Sequence, residues 1–184
     1  MILKRTHGIN IQPGVIPNAG DFSIWDFSGM KEYYVAHEHF LGNKKSIILI
    51  VFSLREPLHK QLAQVHFWLA MIKSRQAPNE VIRFAGQSIH KPFVVLVGSF
   101  LDQQLPPSFQ EQSSDVFAVP LASNIQQDPD NGMSVLRRMV EEFGDHFVFP
   151  DVVFTLDCRL SQTREMRSLR NLLGSLRQQV LKVR

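Results

Sequence analysis

The chain alternates between short unbroken apolar runs and longer stretches in which apolar residues recur every three or four positions. Ser46-Ile-Ile-Leu-Ile-Val-Phe-Ser53 and Pro92-Phe-Val-Val-Leu-Val-Gly98 are continuous runs, the pattern of strands covered by helices on both faces of a parallel sheet. Asp151-Val-Val-Phe-Thr-Leu156 is a shorter run of the same kind. Ahead of them, Gly8 to Ile16 contains the turn pair Pro13-Gly14, and the aromatic-rich Asp21 to Phe27 is entered through Pro17-Asn-Ala-Gly20. These two segments read as the arms of an antiparallel hairpin. Between the runs the period changes. Leu58, Leu62, Val65, Leu69 and Ile72 fall on one helical face, with Pro57 at the start, where its missing N–H costs nothing. Val135, Met139, Val140 and Phe143 form a shorter stripe ended by Gly144, and Met166, Leu169, Leu172, Leu173, Leu176 and Val180 form a final one. Strands alternating with such helices predict an α/β sandwich with a mostly parallel sheet. Residues 75–91 and 101–130 read as loops, the second rich in Gln, Pro, Ser and Asp; loops of that length commonly carry function.

Composition narrows the class. The 184 residues fit one domain and can bury a substantial core, and 44% hydrophobic with 20% charged residues is the balance of a folded protein. Ile47 to Phe52, the longest apolar run, is far too short to cross a bilayer, and Met1-Ile-Leu-Lys-Arg-Thr6 has no stretch of signal-peptide length. The single cysteine, Cys158, suits a reducing compartment. A cytoplasmic location with no membrane partner is therefore expected. The net charge of +3 is too small to imply nucleic acid. Arg164, Arg167, Arg170, Arg177, Lys182 and Arg184 read as the solvated face of the last helix.

In open α/β sheets ligands bind beyond the carboxyl ends of the strands, so the residues that follow each strand carry the candidate chemistry. After the second arm of the hairpin comes Asp26-Phe-Ser-Gly29; a carboxylate followed by glycine three residues on can serve Mg²⁺ and a γ-phosphate. Gly98-Ser-Phe-Leu-Asp102 follows the second apolar run, where Asp102 can accept two hydrogen bonds that guanine offers and adenine does not. Asp157-Cys158-Arg159 follows the last strand, where a backbone N–H can meet the guanine carbonyl, and Thr6 stands just before the hairpin with a hydroxyl for Mg²⁺. The force of these elements lies in their order, since each alone is common. His37-Glu-His39 is not read as a metal motif, because residues two apart on a helix point to different sides. Cys158 reads as a buried or backbone position rather than a nucleophile. Trp25, Trp68 and most of the fourteen phenylalanines read as core.

Trp25-Asp-Phe-Ser-Gly-Met-Lys-Glu-Tyr-Tyr-Val-Ala-His-Glu-His-Phe40 resembles the Walker B and switch II segment of Roc domains, the GTPase modules of Roco proteins. Thr6-His-Gly-Ile9 resembles the family's switch I, and Val51 to Leu69 is most similar to the Roc domain of death-associated protein kinases. The resemblance runs from about Thr6 to Val183. It implies a Ras-like three-layer sandwich, one partial Roc-type domain over residues 1–184, GTP or GDP with Mg²⁺ as cofactors, and guanine nucleotide as partner. Thr6 and Asp26 would then ligate the metal, while Gly29, Ser99, Leu101, Asp102 and Cys158 would contact the nucleotide. Two departures bear on activity. Ser99-Phe-Leu-Asp102 has a phenylalanine where the family's base motif has a lysine, and Met30 follows Gly29 where fast GTPases carry a water-positioning glutamine. A thioether cannot orient water, so slow hydrolysis is expected.

No Gly-x-x-x-x-Gly-Lys-Ser/Thr occurs among the 184 residues. The resemblance places that phosphate loop and its strand ahead of Thr6, which implies that the chain is a fragment with weak or no nucleotide binding. The alternatives are that the flanking strands close up or that another chain fills the gap. A second class of function follows: a nucleotide-free pseudo-GTPase whose surface at Tyr33, Tyr34, His37 and Phe40, with the basic last helix, binds protein partners or a second copy.

Overall fold

A computed structural model describes residues 6–41, 46–75, 91–101 and 132–182. The hairpin consists of β1 (Ile9–Ile16) and β2 (Gly20–Phe27), paired antiparallel from Ile9↔Phe27 to Ile16↔Gly20. Its turn needs left-handed backbone at Asn18 (φ 65°) and Gly20 (φ 97°), which asparagine and glycine tolerate best. A 3₁₀ turn at Lys31–Tyr33 leads into a single helical turn, α1 (Tyr34–His37). There follow β3 (Ile47–Ser53), α2 (Leu58–Arg75), β4 (Phe93–Ser99), α3 (Gly132–Phe143), β5 (Val153–Leu156) and α4 (Arg164–Lys182). Asp102 and the segments 76–90 and 102–131, which hold most of both expected loops, lie outside the described residues.

Strands β3, β4 and β5 form a parallel sheet in that order, with Leu49↔Val95 and Val51↔Val97 in register. One face packs on α2 and α3: Ile50, Phe52, Val94, Leu96 and Val153 meet Val65, Leu69, Val135 and Met139. The other face packs on α4, where Val95, Val97, Phe154 and Leu156 meet Leu169, Leu173 and Leu176. The expected α/β layering is thus present, and helices on both faces explain why the strands are apolar without alternation.

The hairpin is a sheet of its own, sharing no ladder with β3–β5. The possibility that the flanking strands close up is therefore not realised. The hairpin is joined to the core by side chains. At its turn, Ala19 packs against Gly174 of α4, and the Arg177 guanidinium donates to the Asp21 carbonyl at 3.0 Å while lying over the Phe22 ring. At its open end, α1 packs on α2. Leu49 and Val51 on the α4 side of β3 stay 42% and 52% exposed, whereas their neighbours Val95 and Val97 are buried. On β3 the cover given by α4 reaches Ile47 and leaves Leu49 and Val51 largely open.

Candidate functional site

The hairpin register sets the site. The ladder continues one step past Ile9↔Phe27, with the Ser28 N–H donating to the Gly8 carbonyl at 2.9 Å. This brings Thr6 back alongside Asp26, and the Thr6 hydroxyl donates to the Asp26 carboxylate at 2.6 Å. A cleft of about 400 Å³ opens there, lined by Thr6, Asp26, Phe27, Ser28, Gly29 and Met30. Ser28 is buried, and its hydroxyl accepts from the Met30 N–H at 3.2 Å, shaping the turn. A Cβ built on Gly29 would meet no atom within 4 Å, so the glycine leaves backbone open to the cleft.

The hairpin turn rests on the later half of α4, at Gly174 and Arg177. Ser99 and Leu101, which follow β4, do not line the cleft. The Ser99 hydroxyl donates to the Phe52 carbonyl at 3.0 Å, and the Ser99 carbonyl accepts from the Leu54 N–H, so both groups tie β4 to β3. Leu101 packs on the core. Cys158 is exposed, against the expectation of a buried position, because it sits in a turn held by its neighbours. Arg159 donates from Nε and Nη2 to both oxygens of Asp157, at 2.9 and 2.7 Å. The side-chain bond from Arg159 holds the Asp157 carboxyl below its ordinary 3.8, outweighing the partial burial.

Among the described residues no three His, Cys, Asp or Glu side chains gather to hold a metal. His37 and His39 point apart as expected: His37 is buried and His39 exposed. Thr6 and Asp26 offer only hard oxygen donors, the set that suits Mg²⁺ supplemented by water and phosphate.

Two surface expectations need correction. His37, expected on the partner-binding surface, is fully buried, enclosed by Phe27, Tyr33, Tyr34 and Trp68 with ring centroids 5.2–6.5 Å away. Trp25, expected in the core, belongs to an exposed face where it meets Phe40 at 5.9 Å, opposite Ile11 across the hairpin. Tyr34 and His37, expected on a partner-binding surface, instead brace backbone beside the cleft: the Tyr34 hydroxyl donates to the Gly29 carbonyl at 3.1 Å, and His37 Nε2 lies 3.2 Å from the Gly8 carbonyl.

Residues 4–89 match the family described as Ras of Complex, Roc, domain of DAPkinase. Over that segment the chain is similar to Roc domains. The matched segment holds Thr6, Asp26, Gly29, α1 and α2, and Roc is a Ras-like GTPase family, which generally uses GTP or GDP with Mg²⁺. Similarity extends past it. The chain is 27% identical over 178 residues to death-associated protein kinase dapk-1 of Caenorhabditis elegans, covering 97% of this chain and 12% of that protein. It is 31% identical over 101 residues to the probable serine/threonine-protein kinase roco11 of Dictyostelium discoideum, covering 55% and 6%. It is 37% identical over 82 residues to leucine-rich repeat serine/threonine-protein kinase 1 of Caenorhabditis elegans, covering 45% and 3%. The chain thus spans at most 12% of the length of these kinases. Among the described residues no helix is long and apolar enough to cross a membrane.

Proposed function

We propose that the chain is the greater part of a single guanine-nucleotide switch domain within a cytoplasmic signalling protein. Thr6 and Asp26 serve Mg²⁺, the Gly29 backbone serves the γ-phosphate, and Ser99, Leu101, Asp102 and Cys158 frame the base. The observation that carries this reading is the cleft in which Thr6 and Asp26 meet at 2.6 Å beside an unobstructed Gly29. The bound ion would neutralise phosphate charge. The chain's own residues orient it through two oxygens and leave a backbone path open. Met30 offers no group to orient water, so hydrolysis is slow.

Among the described residues the outer edges of β2 and β3 pair with no strand, which supports a further element of the reading. In this reading a strand from outside these 184 residues lies between them and carries the phosphate loop. On their own the 184 residues hold nucleotide weakly or not at all, since each missing charge-assisted hydrogen bond is worth roughly 1.5–3 kcal/mol. The exposed Trp25, Val35 and Phe40 favour a second reading, a pseudo-GTPase surface that binds a protein partner or a second copy. Titration with a fluorescent GDP analogue in Mg²⁺ separates the two. Micromolar binding that is lost on Asp102→Ala supports the switch, and no binding at high concentration supports the interaction module.

A further inference from the structure

The carbonyl of Gly8 is a junction. It accepts from the Ser28 N–H at 2.9 Å and lies 3.2 Å from His37 Nε2. A carbonyl only accepts, so the second contact requires the Nε2–H form of the imidazole. That choice leaves Nδ1 as a bare acceptor, buried and without a hydrogen-bond partner among the described residues. Buried polar atoms are rarely left in this state, and the Gly8 carbonyl is the hydrogen-bond partner that the His37 side chain has among the described residues. Gly8 is also two residues from Thr6, whose hydroxyl is bonded to Asp26. On the other side, His37 closes α1, the turn that displays Val35 (73% exposed) and is followed by the exposed Phe40. One imidazole thus stands between the Gly8 carbonyl and the aromatic surface, and the Tyr34 hydroxyl on the Gly29 carbonyl is a second brace.

We propose that His37 transmits the state of the Thr6–Asp26 contact to the α1 surface: when Thr6 leaves Asp26, the Gly8 carbonyl shifts, the His37 bond opens and α1 loosens with its exposed side chains. This rests on the Thr6–Asp26 cleft being the working site, and it names the regulation of that site. His37 is a positioning residue and touches no ligand.

The test needs no nucleotide, so it stands apart from whether the chain binds GDP. Amide hydrogen exchange is followed over residues 34–41, with β4 residues 94–97 as the marker of an intact core. Thr6→Val removes the hydroxyl donor and is expected to speed exchange in 34–41 about tenfold while leaving β4 unchanged. His37→Phe keeps an aromatic ring without a donor; it is expected to speed the same amides by itself, and adding Thr6→Val then changes nothing more. His37→Gln keeps an N–H donor, and there Thr6→Val is expected to act with its full increment. The proposal is overturned if Thr6→Val in the native chain leaves 34–41 unaltered. It is equally overturned if Thr6→Val adds the same increment in the His37→Phe background as in the native chain. Should His37→Phe lose β4 protection, the native and His37→Gln backgrounds alone decide.

Discussion

Gly29 and Gly98 both stand near the ends of strands, yet a methyl group at each would meet opposite surroundings. At Gly29 it would meet nothing within 4 Å, while at Gly98 it would lie 2.6 Å from Cδ2 of the buried Leu54. Gly98→Ala is therefore expected to cost about 1–3 kcal/mol of stability in a denaturant melt, as overpacking does. Gly29→Ala is expected to stay within about 0.5 kcal/mol of the native chain in the same melt. If the cleft takes phosphate, Gly29→Ala also weakens whatever GDP-analogue binding the titration detects. Asp157 gives a pH test with a definite sign. Its folded value is lowered, so its stabilising contribution is complete above the ordinary 3.8 and is lost as pH falls through the lowered value. In Arg159→Ala the Asp157 carboxyl is expected to titrate nearer 3.8, read by carboxyl NMR shifts. What the sequence could not disclose at this scale was burial. His37 and Trp25 are polar-aromatic and aromatic residues in adjacent segments, and only the packing of α1 on α2 decides that the histidine goes inside and the tryptophan outside.

At the scale of elements, legibility followed length. The stripe from Leu58 to Ile72 became α2, extended to Arg75, and the stripe from Met166 to Val180 became α4, extended by about two residues at each end. Both are long enough for a 3.6-residue period to declare itself. The hairpin was legible because its turn residues are specific, and its register carried Thr6 to Asp26 without further help. The α1 turn was not legible as a separate helix, for four residues hold no period. Such a turn is marginal in isolation, and it is held by Tyr34 against Phe67 and Trp68, with ring centroids at 4.9 and 5.1 Å, and by an ion pair between Glu38 and Arg75. The contact between the hairpin and α4 was equally hidden. Gly174 lies mid-helix where glycine is costly, and its reason is spatial: a Cβ there would sit 3.0 Å from the Asn18 carbonyl oxygen and 3.1 Å from the Ala19 Cα. Gly174→Leu is expected to push the hairpin off α4, lowering stability by about 1–3 kcal/mol in thermal melts despite leucine's better helix propensity. An Arg177→Ala change, by contrast, removes one exposed-side tether and costs less than about 1.5 kcal/mol.

For the whole molecule, the treatment of sheet edges is uneven. In β1, Pro13 removes a backbone donor from a strand at the sheet margin, a common guard against unwanted pairing. No charge or proline protects β3, whose Ile47 to Phe52 is wholly apolar with Leu49 and Val51 exposed. Replacing both by lysine is expected to suppress self-association of the chain, measured by light scattering, while leaving the melting temperature nearly unchanged, because neither side chain is buried. The side-chain joint between the two sheets has a further consequence. A ladder fails all together, whereas a seam of separate contacts at Ala19, Arg177, Tyr34 and His37 can come undone stitch by stitch. Asp26 rides on the piece that comes away first, and so does the rest of the cleft lining, from Thr6 to Met30. A ligand of the cleft would thus register as heat resistance in the hairpin before it registered anywhere in β3, β4 or β5.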